Sequence, residues 1–310
     1  MDLSNINKIK AVFDSIYIAD DPRAYFSVLG SLDYTVPDVA EPVIRQILAA
    51  KAVASGWNPT VLDIGSSYGI NAATHRFPVN FSSLRQRYAR REMVEIEAEE
   101  MARLDRHFYA SWPEIGIGRF IGLDISEPAI RYANRAGLHI DGVVANLETD
   151  TLSARDATVI APVDVLLSTG SIGYVTERTY DTLLDAVSSS SWVISFVLRM
   201  FPYDGFIESF ARRGLVTERL RGATFVQRRF RDEAEFEQTL ASLEAQGIDP
   251  TGIESEGLFQ AELFLSRPEA DVRAAPLDDI VSVTSGGFKS FGPRYLQVEH
   301  EDGQNETLAV

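Results

Sequence analysis

From Thr60 onward the chain alternates short apolar runs with amphipathic stretches, and this alternation limits the folds open to it more than any other feature. The runs are Val61–Ile64, Phe120–Leu123, Gly142–Ala145, Val163–Leu167, Trp192–Leu198 and Leu258–Leu265. Most are continuous rather than alternating, the pattern of strands buried on both faces. Between them the 3.6-residue period predicts helices at Ile70–Arg76, Pro128–Ala136, Glu177–Ser188 and Glu233–Gln246. Strand and helix in strict alternation give an α/β fold: a doubly wound, mostly parallel sheet with helices on both faces.

The N-terminal 57 residues read as a helical segment. One helix is expected from Asn5 to Ile18, stopped by Asp20-Asp21-Pro22, and a second from near Pro37 to Gly56. An aromatic stretch from Arg23 to Tyr34 separates them. The main domain is expected over residues 58–267, with an insertion at 78–118 and a segment at 200–231 that reads as a cap or an added strand. A single helix from about Arg91 to Tyr109 is predicted in the insertion, burying Val94, Met101, Leu104 and Phe108. Residues 268–310 form a weakly patterned tail or flap.

Composition narrows the chemistry. With 29 Lys+Arg against 45 Asp+Glu, the net charge of −16 argues against reading a phosphate backbone, although Arg85, Arg87, Arg90 and Arg91 form a local basic run. There is no Cys, which removes disulfides, thiolate nucleophiles and Cys-ligated metals. The four histidines, His75, His107, His139 and His300, have no metal-ligand spacing, which argues against a histidine-built metal site and leaves only a carboxylate one open; no metal residue is assigned. No window approaches the ~18 apolar residues of a membrane span. A cytoplasmic protein is the expectation, with neither nucleic acid nor membrane as partner, and a homodimer is allowed for.

The most informative motif is Val61-Leu62-Asp63-Ile64-Gly65-Ser66-Ser67-Tyr68-Gly69, an apolar strand that runs into an acid and a tight turn of small residues. Such a turn lets backbone approach a ligand at the carboxyl end of a strand. The Gly-x-Gly-x-x-Gly spacing of a dinucleotide site is absent, as is a Gly-Lys-Ser/Thr phosphate loop.

With these residues in view, the chain resembles the class I S-adenosylmethionine-dependent methyltransferases of small-molecule type. Asp63 to Gly69 is similar to their first motif, with Ser67 at its middle glycine. Phe120 to Ser126 is similar to the second strand with its terminal acid, and Asp164 to Val175 to the fourth strand and its loop. The resemblance implies a Rossmann-like methyltransferase fold and S-adenosyl-L-methionine as cofactor. It implies cofactor contacts from Asp63, Gly65, Ser66, Ser67, Gly69, Asp124, Ile125, Asn146, Leu147 and Ser168, with Asp63 near the methionine ammonium and Asp124 on the ribose hydroxyls. Acceptor-side candidates are Tyr174, Glu177 and His107 as catalytic groups, and Tyr17, Tyr25, Tyr34, Tyr174, Arg199 and Tyr203 as substrate or lid residues, the resemblance implying that residues 1–57 fold over the site as a helical lid, with Arg228 as a further cap residue. Tyr174 stands where many relatives carry His. The expected activity is methyl transfer to an aromatic or heteroaromatic small molecule, the O, N or C atom being open. An NAD(P)-dependent oxidoreductase and a non-catalytic binding protein on the same scaffold are the alternatives.

Overall fold

The computed structural model describes residues 14–283, 295–299 and 305–309. The predicted helix Asn5 to Ile18 lies mostly outside them, and its described part is helical over Asp14–Tyr17.

Strands β1 (Thr60–Ile64), β2 (Arg119–Asp124), β3 (Asp141–Val144), β4 (Val165–Thr169), β5 (Trp192–Leu198), β6 (Leu215–Arg219), β7 (Phe225–Arg229) and β8 (Leu258–Pro268) form one sheet. Its order is β3-β2-β1-β4-β5-β8-β6, with β7 also on β8. β3 through β5 are parallel, and β8 runs antiparallel to β5. The 11 residues of β8 are long enough to pair with β7 through their first part and with β6 through their last. This is the doubly wound, Rossmann-like plan expected from the sequence. The order reverses between β2, β1 and β4, and the crevice at their carboxyl ends is where such sheets bind ligands.

Burial explains why the apolar runs were legible. β1 and β5 are buried along their whole length, and separate apolar cores lie on the two faces of the sheet. The helix Val36–Ser55 carries Pro37 in its first turn and ends on Gly56 at φ 85°, a left-handed stop that glycine adopts without a Cβ penalty.

Three segments differ from the sequence reading. The aromatic stretch after Asp20-Asp21-Pro22 is itself a helix, Arg23–Ser31, whose Tyr25, Phe26 and Leu29 are buried. The inserted helix is broken into Phe81–Tyr88, Arg91–Val94 and Ala98–Ala110. Met101 is buried as expected, but Val94 is 61% exposed because the chain leaves helical geometry at Glu95 to Glu97 and the stripe loses its phase. Residues 200–231 supply a helix, Asp204–Arg212, and the strands β6 and β7 to the sheet, so only Met200, Phe201 and the β7 residues Gln227 and Arg228 reach the crevice. The tail holds two short helices and a hairpin, Tyr295–Glu299 with Asn305–Ala309. Among the described residues no helix is long and apolar enough to cross a membrane.

The insertion is fixed by a buried carboxylate absent from the predicted stripe. Asp105 is fully buried and accepts from Arg87 Nε and Nη2 at 3.0 and 2.8 Å, from Tyr88 Oη at 2.9 Å and from Tyr132 Oη at 2.6 Å. Four donors satisfy the charge, which ties the insertion to the helix after β2.

Candidate functional site

A cavity of about 940 Å³ opens at the carboxyl ends of β1, β2 and β4 and extends beneath the N-terminal segment to β7 and β8. That is near the top of the range for single small-molecule sites. One end is built from the glycine turn and the ends of β2 and β3. Gly65 has φ 71°, and a Cβ there would stand 2.9 Å from Ser171 Cβ, so only glycine fits beneath the β4 loop. Ser67 takes φ 46° despite its Cβ, the strain anticipated where Ser replaces Gly. Its amide and that of Ser126 donate to Asp124 at 2.8 and 2.9 Å, one to each carboxylate oxygen. Burial raises the Asp124 pKa, while those backbone donors oppose the rise. The carboxylate faces the cavity with acceptor capacity left on both oxygens.

Asp63 lies one layer back. Asn71 lines the cavity and donates to Asp63 Oδ1 at 2.9 Å and to Thr169 Oγ1 at 2.9 Å. Asp63 Oδ2 is buried with no partner in the protein. Burial pushes the carboxyl up to about 7, the Asn71 hydrogen bond opposes this, and Asp124 adds to it. A buried acid with one unanswered oxygen fits a cationic ligand on the cavity side.

Of the other cofactor candidates, Ser66, Ile125, Asn146 and Leu147 line the cavity. Gly69 and Ser168 do not: Gly69 is the left-handed cap of the helix Ile70–Arg76, and Ser168 is fully buried, bonded at 2.6 Å to the cavity residue Ser171.

The opposite end is aromatic. Tyr17, Tyr25, Tyr34 and Tyr174 all line it. Tyr25 meets Tyr17, Tyr34 and Tyr68 edge to face at 5.9, 6.3 and 5.6 Å, geometry that holds such rings apart at their favoured spacing. The N-terminal segment is latched over the glycine turn. Tyr68 Oη donates to the carbonyls of Ile16 and Ala19 at 2.9 and 2.8 Å, and Ser126 Oγ to that of Tyr17 at 2.6 Å.

Four acceptor-side candidates fall away from the cavity. His107 is on the exposed face of Ala98–Ala110, three turns into the insertion, and Glu177 lies with its carboxylate against Gly205 in the first turn of its helix. Arg199 is taken by Glu254 at 2.6 Å and the Asp249 carbonyl at 2.9 Å. Tyr203 is buried on the other face of the sheet, where its hydroxyl donates to Ser195 at 2.9 Å. Glu177, Arg199 and Tyr203 follow strand ends in sequence, but their side chains turn away from the cavity, whereas His107 lies within the inserted helix.

Residues that sequence reasoning did not select complete the walls: Asn71, Gln227, Glu235, Thr239, Met200 and Phe259. Glu235 reads in sequence as an acid favoured by the helix dipole and Phe259 as core, so neither carries a local signal.

No family model matches the chain, and no curated protein sequence matches it. The solved structures to which it is similar include the magnesium protoporphyrin IX methyltransferase from Synechocystis with bound SAM, at 11% identity and TM-score 0.35, over 73% of this chain and 79% of that one. Another is the O-methyltransferase of a trans-AT PKS multienzyme of Brevibacillus brevis in complex with S-adenosyl-L-homocysteine, at 10% and 0.36, over 76% and 75%. A third is the precorrin-6y C5,15-methyltransferase from Geobacter metallireducens, at 10% and 0.34, over 71% and 87%. These are likenesses of fold.

Proposed function

We propose that the protein transfers a methyl group from S-adenosyl-L-methionine to a small molecule whose nucleophile is borne on an aromatic or heteroaromatic ring. The observation that carries this reading is one continuous cavity joining the Gly65 turn and Asp124 to an aromatic chamber under the N-terminal segment. Its residues fit the cofactor by their own chemistry. The turn at Gly65 is a cradle a Cβ would fill, Asp63 holds an unanswered buried oxygen, and Asp124 presents an acceptor-only carboxylate. When bound, the cofactor supplies a methyl group on a cationic sulfur.

The chain's part is to bind, orient and exclude water. Asp124 would accept from the ribose hydroxyls, and Ile125, Asn146 and Leu147 would flank the adenine. Asp63, through the space beside Asn71, would answer the methionine ammonium. Ser168 acts behind Ser171, and Gly69 by shaping the turn. Tyr17 and Tyr174 stand at the junction of the two ends, where an aromatic face beside a sulfonium would gain roughly 0.5–2 kcal/mol. The described part of the N-terminal segment, from residue 14 to Tyr34, would act as the lid, and β7 would be the part of the 200–231 cap that closes the acceptor chamber.

Calorimetric titration with S-adenosyl-L-homocysteine tests the reading. One-to-one binding is expected, with none for NAD or NADP. Binding of a nicotinamide cofactor in its place would overturn it in favour of an oxidoreductase.

A further inference from the structure

The acceptor end of the cavity contains a cation held in a fixed direction. β7 is flanked by β8 on one side and by the chain at Leu32 to Thr35 on the other. Thr35 N donates to the Gln227 carbonyl at 2.8 Å, Arg229 N to that of Leu32 at 2.8 Å, and Thr35 Oγ1 to that of Val226 at 3.0 Å. This lateral pairing sets Arg228 beside Tyr34, and both line the cavity. Arg228 Nη1 and Nη2 donate to the two oxygens of Glu235 at 2.9 and 2.8 Å, and Nη1 also to the Arg229 carbonyl at 2.9 Å. The guanidinium lies 4.7 Å over the Phe259 ring. Glu235 is saturated in turn by the Arg231 amide at 2.7 Å. With side chains only 12% and 1% exposed, the pair cannot swing into solvent. Both members of the pair line the cavity, and the pairing fixes the guanidinium at the tyrosine-lined chamber. Burial raises the pKa of Tyr17 and of Tyr34, and Arg228 opposes the rise at both, so its field reaches those hydroxyls.

The proton acceptors of the cavity are already engaged. Asp124 belongs to the cofactor end, tied to two amides. Glu148 takes Thr176 N and Oγ1 and Thr179 Oγ1 at 2.8, 2.7 and 2.6 Å. Burial alone would raise its pKa, but these donors bring it below the ordinary value. Among the described lining residues there is no histidine. A hydroxyl brought to this end meets a cation already fixed in place by its protein partners, an arrangement that stabilises developing or full negative charge.

We propose that Arg228 determines acceptor specificity by binding a phenol or enol through its oxygen as the oxyanion, the hydroxyl proton passing to solvent when the molecule binds. The inference rests on the methyl-transfer reading and narrows its nucleophile to oxygen.

The test uses 4-nitrophenol and 7-hydroxycoumarin, whose ionised forms absorb apart from their neutral forms, added to full-length protein loaded with S-adenosyl-L-homocysteine. The bound probe is expected to titrate about one pH unit below the free probe. Arg228→Gln should abolish that displacement and weaken probe binding about tenfold or more, with Arg228→Lys recovering part of it. Affinity for S-adenosyl-L-homocysteine should stay within twofold in both variants, which also shows that they fold. Binding of both probes in neutral form, failure of both to bind, or an unchanged displacement in Arg228→Gln overturns the inference. Loss of S-adenosyl-L-homocysteine binding in the unaltered protein instead overturns the reading beneath it.

Discussion

Affinity for S-adenosyl-L-homocysteine should rise about tenfold between pH 6 and pH 8, because the buried Asp63 has to release a proton to meet the ligand's ammonium. In the ligand-free chain burial holds this carboxyl near 7 rather than at its ordinary 3.8. The folded chain therefore binds more protons than the unfolded chain between those values. Asp63's contribution to stability is full below 3.8 and is lost as pH rises through 7. A cation set against the unpartnered Oδ2 favours the charged form and returns the group toward its ordinary range. At pH 6 about nine-tenths of the sites then carry a proton that binding must expel, and at pH 8 about one-tenth, which is a factor of ten or ~1.4 kcal/mol. Calorimetry in two buffers of different ionisation enthalpy counts this proton, with release of about one per ligand at pH 6 expected. Asp63→Asn should bind weakly at pH 8 and show no pH dependence. An affinity constant across pH 6 to 8, or a dependence that survives in Asp63→Asn, would refute the argument.

Other expectations come from groups outside the acceptor chamber. Asp105→Ala leaves the Arg87 guanidinium and two tyrosine hydroxyls without their shared acceptor, and urea unfolding should show a loss of about 3–5 kcal/mol. Cofactor affinity of that variant should hold, since these groups do not reach the cavity. His139 is buried behind the glycine turn, and burial, with Arg76 adding, lowers its pKa to about 3. Below 6.5 the unfolded chain takes the proton and the folded chain does not. The stability of the unaltered protein relative to His139→Leu should therefore fall by ~1.4 kcal/mol per pH unit between pH 6 and pH 4, measured by denaturant titration. Gly65→Ala puts a Cβ in left-handed backbone and against Ser171, so stability should drop by about 1–2 kcal/mol and S-adenosyl-L-homocysteine affinity by tenfold or more in the same calorimetric assay.

Sequence alone was enough for the layers and for the glycine-turn end of the cavity. Buried parallel strands leave continuous apolar runs, and Trp192–Leu198 was bounded to the residue because all seven of its positions are buried. The turn at Gly65 and the acid at Asp124 were visible because strand end, glycine and carboxylate are neighbours along the chain. The tertiary structure alone decided the acceptor end. Arg228 and Tyr34 are 194 positions apart and meet only because β7 takes the segment 32–35 as its lateral partner. Arg199 lies nearer to a strand end than Tyr174 does, and Glu177 follows the same strand as Tyr174, yet they are turned toward Glu254 and Gly205. Position along the chain says which strand end a residue is close to. The direction of its side chain is set by partners remote in sequence, and that direction separates a wall of the cavity from a buried ion pair.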